Sequence, residues 1–160
     1  MWKYKSQNID YVSLHDHLIN KILFEEHDIL LIFEDGFSIQ KEHPLNDTGT
    51  SKHTTSAQII LRNAAFLQGI VCRENFGEPV SEQERLDFAT LKKAFIGVEV
   101  FEFELEGGAF SIVGNLWYTN ESKRLQEYVE MEFSCDDVLF CWNDYSSDAW
   151  FEGWPKNQLF

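Results

Sequence analysis

The residues best suited to chemistry stand together at Leu14-His15-Asp16-His17-Leu18. In an extended strand His15 and His17 point to one side, as paired metal-ligating imidazoles would. A metal centre built on His15, Asp16 and His17 needs further donors, and Glu25, Glu26, His27, His43 and His53 are those the sequence offers. The structural alternative has neutral imidazoles, with Asp16 fixing the turn into the first long strand by accepting from backbone N–H groups. Other catalytic signatures fail. There is no G-x-S-x-G, no Gly-rich phosphate loop, no H-E-x-x-H and no zinc-deaminase pattern. Asp47-Thr48-Gly49 matches the triplet around an aspartic-protease carboxylate, but that chemistry needs two such carboxylates sharing a proton and no second copy exists. Cys72, Cys135 and Cys141 are odd in number and lack C-x-x-C spacing, so they read as small hydrophobes in strands. The acids around Cys135 and Cys141 would raise a thiol pKa. No cofactor is implied.

A second group of candidates is acidic. Glu102 and Glu104 alternate with apolar residues in one strand, and Glu130 and Glu132 do so in another. The chain carries 27 Asp+Glu against 13 Lys+Arg, a net charge of −14. Residues 96–160 contain only three bases, Lys123, Arg124 and Lys156, so most of the field comes from the glutamate strands and the tail after Asp136. Such a surface repels phosphate backbones, which argues against nucleic-acid binding. It suits a basic protein partner, with Trp150 or Trp154 as aromatic anchors and Glu102, Glu104, Glu130 and Glu132 steering Lys and Arg. The plain alternative is a solvated sheet face that keeps the protein soluble and its strands from pairing with other chains. A glycosidase-like carboxylate pair is disfavoured, because an exposed face of glutamates lacks the burial that raises one pKa.

The elements that must position these residues are mostly strands. The 160 residues suit a single domain spanning 1–160, and 44% apolar content with 24 aromatics excludes disorder. No run approaches the roughly 18 apolar residues of a membrane helix. The polar start, Met1-Trp2-Lys3-Tyr4-Lys5, lacks the apolar core of a secretory signal, and a reducing cytoplasm is expected. Residues 18–42 read as a strand pair. A two-residue turn at His27-Asp28 would set Phe24 opposite Leu31, Ile22 opposite Phe33 and Lys21 opposite Glu34. His-Asp suits such a turn poorly, and a longer loop is the alternative. Asp35-Gly36 then turns the chain into Phe37-Ser38-Ile39 as a further strand. Residues 43–57 are polar and form the longest loop candidate. Short strands follow at 58–62 and 69–73.

Ser81-Glu82-Gln83-Glu84 forms a capping box before Leu86, Phe88, Ala89, Leu91, Ala94 and Phe95, and this predicts one helix near 82–95. Gly107-Gly108 predicts a two-residue hairpin turn that pairs Leu105 with Phe110, Phe103 with Ile112 and Glu104 with Ser111. Phe101, Phe103, Leu105, Phe110 and Ile112 would share one face, and Glu102, Glu104 and Glu106 the other. At 127–133, Val129, Met131 and Phe133 face away from Tyr128, Glu130 and Glu132. The expected fold is α+β: mostly antiparallel β, a curved sheet or sandwich, with one packed helix near 82–95.

Leu14-His15-Asp16-His17-Leu18-Ile19-x-x-Ile22, running into a strand pair that ends Phe33-Glu34-Asp35-Gly36, resembles small uncharacterised bacterial β-rich proteins. Some of those are predicted immunity proteins of polymorphic toxin systems. The resemblance covers about the first 40 residues and assigns no role to any one of them. It implies a cytoplasmic, non-enzymatic, acidic inhibitor of a basic toxin, and the acidity read from composition agrees with it. The leading expectation is therefore a binding protein that occludes a basic partner's active site. A metal-binding protein or metal-dependent hydrolase centred on His15, Asp16 and His17 is the alternative.

Overall fold

Period-two alternation over long stretches gives strands with one buried face, and such strands must be paired and stacked. The computed structural model describes residues 1–73, 82–87 and 93–155. These form three antiparallel sheets. The first has five strands in the order β1 (Tyr4–Ser6), β14 (Asp137–Trp142), β8 (Ala57–Arg62), β5 (Asp28–Phe33) and β4 (Lys21–Glu25). A six-stranded sheet runs β10 (Glu82–Arg85), β9 (Ala65–Arg73), β13 (Lys123–Ser134), β12 (Ala109–Asn120), β11 (Phe95–Glu106) and β3 (Leu18–Ile19). A small sheet joins β15 (Tyr145–Asp148), β7 (Lys52–Thr54), β6 (Ser38–Ile39) and β2 (Val12–Ser13).

One hydrophobic cluster takes side chains from all three sheets. Ile29, Leu31 and Phe33 of β5, Ile59 and Leu61 of β8 and Phe140 and Trp142 of β14 pack toward Phe110 and Ile112 of β12 and Val129, Met131 and Phe133 of β13. The two larger sheets meet where the Phe103 and Phe140 rings lie 6.2 Å apart. Each fully buried aliphatic or Phe side chain here stabilises by about 1.5–3 kcal/mol relative to exposure. Among the described residues no helix is long and apolar enough to cross a membrane.

The expected α+β class is corrected to all-β, because the described residues contain no helix. Glu82–Arg85, inside the predicted helix, is instead an edge strand paired with Ile70–Arg73 of β9. Backbone pairing to β9 and burial of Leu86 override the local helical signal there. Ser81 and residues 88–92 of that prediction lie outside the described residues.

The first hairpin turns at Glu26-His27 rather than His27-Asp28, with Glu25 opposite Asp28, Ile22 opposite Leu31 and Lys21 opposite Ile32. Glu26 takes the left-handed conformation, φ 51°, that a tight hairpin turn demands. The register moves by two residues, so each side chain keeps its face, and Lys21 still reaches Glu34 diagonally at 2.8 Å. Gly36 turns the chain at φ 80°, but Ser38–Ile39 then pairs with β2 and β7, not with β5. The 43–57 stretch is also more ordered than a plain loop. Lys52–Thr54 is a strand, and Asn46 Nδ2 donates to the carbonyls of Ile39, Gln40 and Thr50.

The β11–β12 hairpin has the predicted register at its tip, Leu105 to Phe110, Phe103 to Ile112 and Glu104 to Ser111, turning through Gly107 and Gly108 at φ 59° and 77°. Further along, a bulge falls between Val100 and Glu102. Before it, Val98 and Val100 face the core; beyond it, Phe103 does, so Phe101 leaves the face the alternation assigned to it. Gly114 sits opposite the bulge, and a Cβ there would stand 2.1 Å from the Glu99 carbonyl oxygen. Gly114→Ala is accordingly expected to lower stability by about 1–3 kcal/mol. Urea unfolding would measure this, and an unchanged midpoint would show that β11 shifts freely.

Candidate functional site

Four glutamates fall in two cross-strand rows on the outer face of the six-stranded sheet. Glu102 is opposite Val113, which is opposite Glu130; Glu104 is opposite Ser111, which is opposite Glu132. Strand spacing puts the two members of each row about 10 Å apart, and the rows about 7 Å apart. Tyr128 donates to Glu130 at 3.3 Å and Gln68 to Glu132 at 3.3 Å, and both donors are neutral. Proximity to Glu130 and partial burial together raise the Tyr128 pKa, with burial the larger cause. Among the described residues no ion pair engages any of the four glutamates. The base nearest in register is Arg85, beyond Ile70 at the sheet edge. In water, repulsion at these separations is about 0.4–0.6 kcal/mol per pair, which the fold tolerates.

The bulge at Phe101 joins this face to the histidine segment. Residues 18–19 pair with 98–99, Val100 N–H donates to the His17 carbonyl, and Asp16 N–H donates to the Val100 carbonyl. His15 Nδ1 then donates to the Phe101 carbonyl at 2.9 Å, which leaves Nε2 3.5 Å from the Asp16 carboxylate. A groove of about 620 Å³ opens here, with His15, Phe101, Glu102, Glu104, Val113 and Phe151 among its walls. The His15 ring lies 6.0 Å from that of Trp150, and Trp150 meets Trp154 edge-on at 5.2 Å. Both tryptophans are exposed, whereas Trp142 is wholly buried in the core. The structure thus sets Glu102, Glu104, Glu130 and Glu132 on one face and brings Trp150 and Trp154 to its margin through His15. Sequence reasoning did not find the roles of Phe101, Ser111, Val113 and Phe151 in this surface. They depend on a bulge and on strand order that no local pattern records.

The three residues of the histidine motif part company. Asp16 adopts φ 63°, so His15 and His17 do not share a side as in an extended strand. His17 turns inward, its Nε2 3.0 Å from Ser38 Oγ and its ring 5.0 Å from that of His53. Among the described residues no group of three His, Cys, Asp or Glu side chains is arranged to hold a metal. His17 and Ser38 are a hydroxyl–imidazole pair at nucleophile–base distance, as are His43 and Ser6 at 2.9 Å. All four residues are buried, with Ser38 at 0% exposure, so no substrate reaches either hydroxyl. His43 Nδ1 accepts from Leu45 N–H, so its Nε2–H donates to Ser6. These imidazoles therefore serve the fold. All three cysteines are buried; burial raises the Cys135 thiol pKa, with Asp137 and Asp136 adding to it, and lifts that of Cys141 to about 11.

Burial, with smaller contributions from His53 and His15, lowers the His17 pKa from 6.5 to about 4. The unfolded chain then binds a proton that the folded chain refuses between those values, so stability falls as pH drops through that window. Burial pushes His43 in the same direction. From pH 7 to pH 5, His17 alone is expected to remove about 2 kcal/mol of stability. Denaturant titration at the two pH values should show this loss in the wild type and a smaller one in His17→Gln; equal losses would mean His17 is not the group responsible.

No family model matches the chain, and no curated protein or solved structure is significantly similar to it.

Proposed function

We propose that this chain is a non-enzymatic binding protein that occludes a basic protein partner with the acidic outer face of its six-stranded sheet. The observation that carries the reading is the array of Glu102, Glu104, Glu130 and Glu132, which meets no cation among the described residues and borders a groove with aromatic walls. Docked Lys and Arg side chains would relieve the repulsion within the array, and the array would speed encounter at low salt. Phe101, Trp150 and Trp154 supply the desolvated contact that charge alone does not give. The resemblance of the first 40 residues to small bacterial β-rich proteins, some of them predicted immunity proteins, suggests a toxin as that partner and the cytoplasm as the place. The separation of His15 from His17 favours this reading over the metal-centred one.

The test begins with capture of partners from a native lysate at low salt, elution by rising salt, and a parallel capture with the Glu102→Lys, Glu104→Lys, Glu130→Lys, Glu132→Lys variant. A basic protein retained by the wild type and lost by the variant is the expected result. With that protein in hand, stopped-flow association should slow by about tenfold or more in Glu102→Lys/Glu104→Lys at low salt. An unaltered on-rate would remove both residues from the interface. Retention of the same protein by the fourfold variant would remove the whole face.

A further inference from the structure

The outer face of the five-stranded sheet breaks the usual rule for an antiparallel sheet, which is apolar within and polar without. Three cross-strand rows make it up. The middle row is Leu23, Leu30, Ile60 and Leu139, apolar across four strands. Leu23 is 39% exposed and Ile60 and Leu139 are partly exposed, while Leu30 between them is buried, as is Cys141 in the next row. On one side runs the row Lys21, Ile32, Gln58, Cys141 and Lys5, with a base at each end. Glu25, Asp28, Arg62 and Asp137 lie on the other side, where Arg62 meets Asp137 at 3.4 Å. An apolar stripe between a basic and an acidic row marks a surface made to be covered.

We infer that this face packs against the same face of a second copy of the chain, about a two-fold axis lying along the Leu23–Leu30–Ile60–Leu139 row. Rotation about that axis returns the apolar row onto itself and exchanges the two flanks. Lys21, which meets Glu34 of its own chain at 2.8 Å, then also opposes Glu25 of the second copy, and Lys5 comes to the side of Asp137 of the second copy. An axis along the strands would set base against base, so the charges select between the two arrangements. Two sheets stacked in this way sit about 10 Å apart, within the range for aligned sheet packing. The net charge of −14 does not forbid the contact, because Lys5, Lys21 and Arg62 make this face nearly balanced. The glutamate array lies on the outer face of the other large sheet, so in the pair the two arrays point away from each other. A patch of about 20 Å by 20 Å on each copy buries roughly 800 Å² in all. Stable complexes bury about 1,200 Å² or more, so the dimer is weak and concentration-dependent.

Sedimentation equilibrium of the full chain from about 5 to 500 μM reads this directly. The apparent mass should climb from monomer toward dimer over that range. Lys21→Glu should weaken association by about tenfold, and Lys21→Glu/Glu25→Lys should restore it. Leu139→Gln should weaken association with its thermal midpoint close to that of the wild type, which separates loss of contact from loss of fold. A monomer mass at every concentration would overturn the inference. So would a dimer indifferent to Lys21→Glu, or failure of the charge exchange to restore association.

Discussion

The break in the β11–β12 ladder at Phe101 is the constraint on which the rest of this surface depends. A one-residue insertion in one strand of an antiparallel pair would turn every later side chain to the other face unless a bulge absorbs it. Here the bulge absorbs it and keeps one face apolar. Val98 and Val100 point to the core before the bulge, Phe103 after it, and Phe101 is released to the groove. Gly114 gives the bulged backbone room, and residues 15–19 satisfy its outer edge through the Asp16, His17 and Val100 backbone groups. One irregularity therefore fixes where His15 sits, which way Glu102 faces, and how Trp150 reaches the sheet.

Polar groups inside the fold follow a different logic. His17 and His43 are buried as neutral rings, each within hydrogen-bond distance of a serine hydroxyl. Burying a charge would cost far more than burying a satisfied imidazole, so their pKa values fall. The acids are handled in the opposite way. The four glutamates stay at the surface, where water screens them and mutual repulsion is small. Charge is thus kept from the core and concentrated on one face, where it acts at a distance on whatever approaches.

Legibility varied with how local the cause was. The Gly107-Gly108 hairpin was readable because its turn type and its alternation both lie within 20 residues. The inward set Val129, Met131 and Phe133 was readable for the same reason. The helix near 82–95 was misread because the Ser81 capping box and the apolar spacing are local signals, whereas Glu82–Arg85 pairs with β9 through contacts outside that window. The His27-Asp28 turn missed by one position, since apolar residues on both strands tolerate a two-residue slip without a change of face. The candidate acidic residues were legible as residue types. Their assembly into rows was not, because Glu102 and Glu130 meet only through Val113 of a third strand.

By itself the sequence determined the predominance of antiparallel strands, the faces of β13 and of β11 beyond its bulge, the burial of the cysteines and the acidic excess. Each is written in composition or in period-two alternation. Tertiary structure alone decided that 82–85 is a strand, that His15 and His17 part, that the four glutamates form one array, and that an apolar row crosses the outer face of the five-stranded sheet. The physical reason is the same in each case. Strand order, bulges and left-handed residues are set by which distant backbone groups pair and which apolar faces stack, and those choices are made between segments rather than within them.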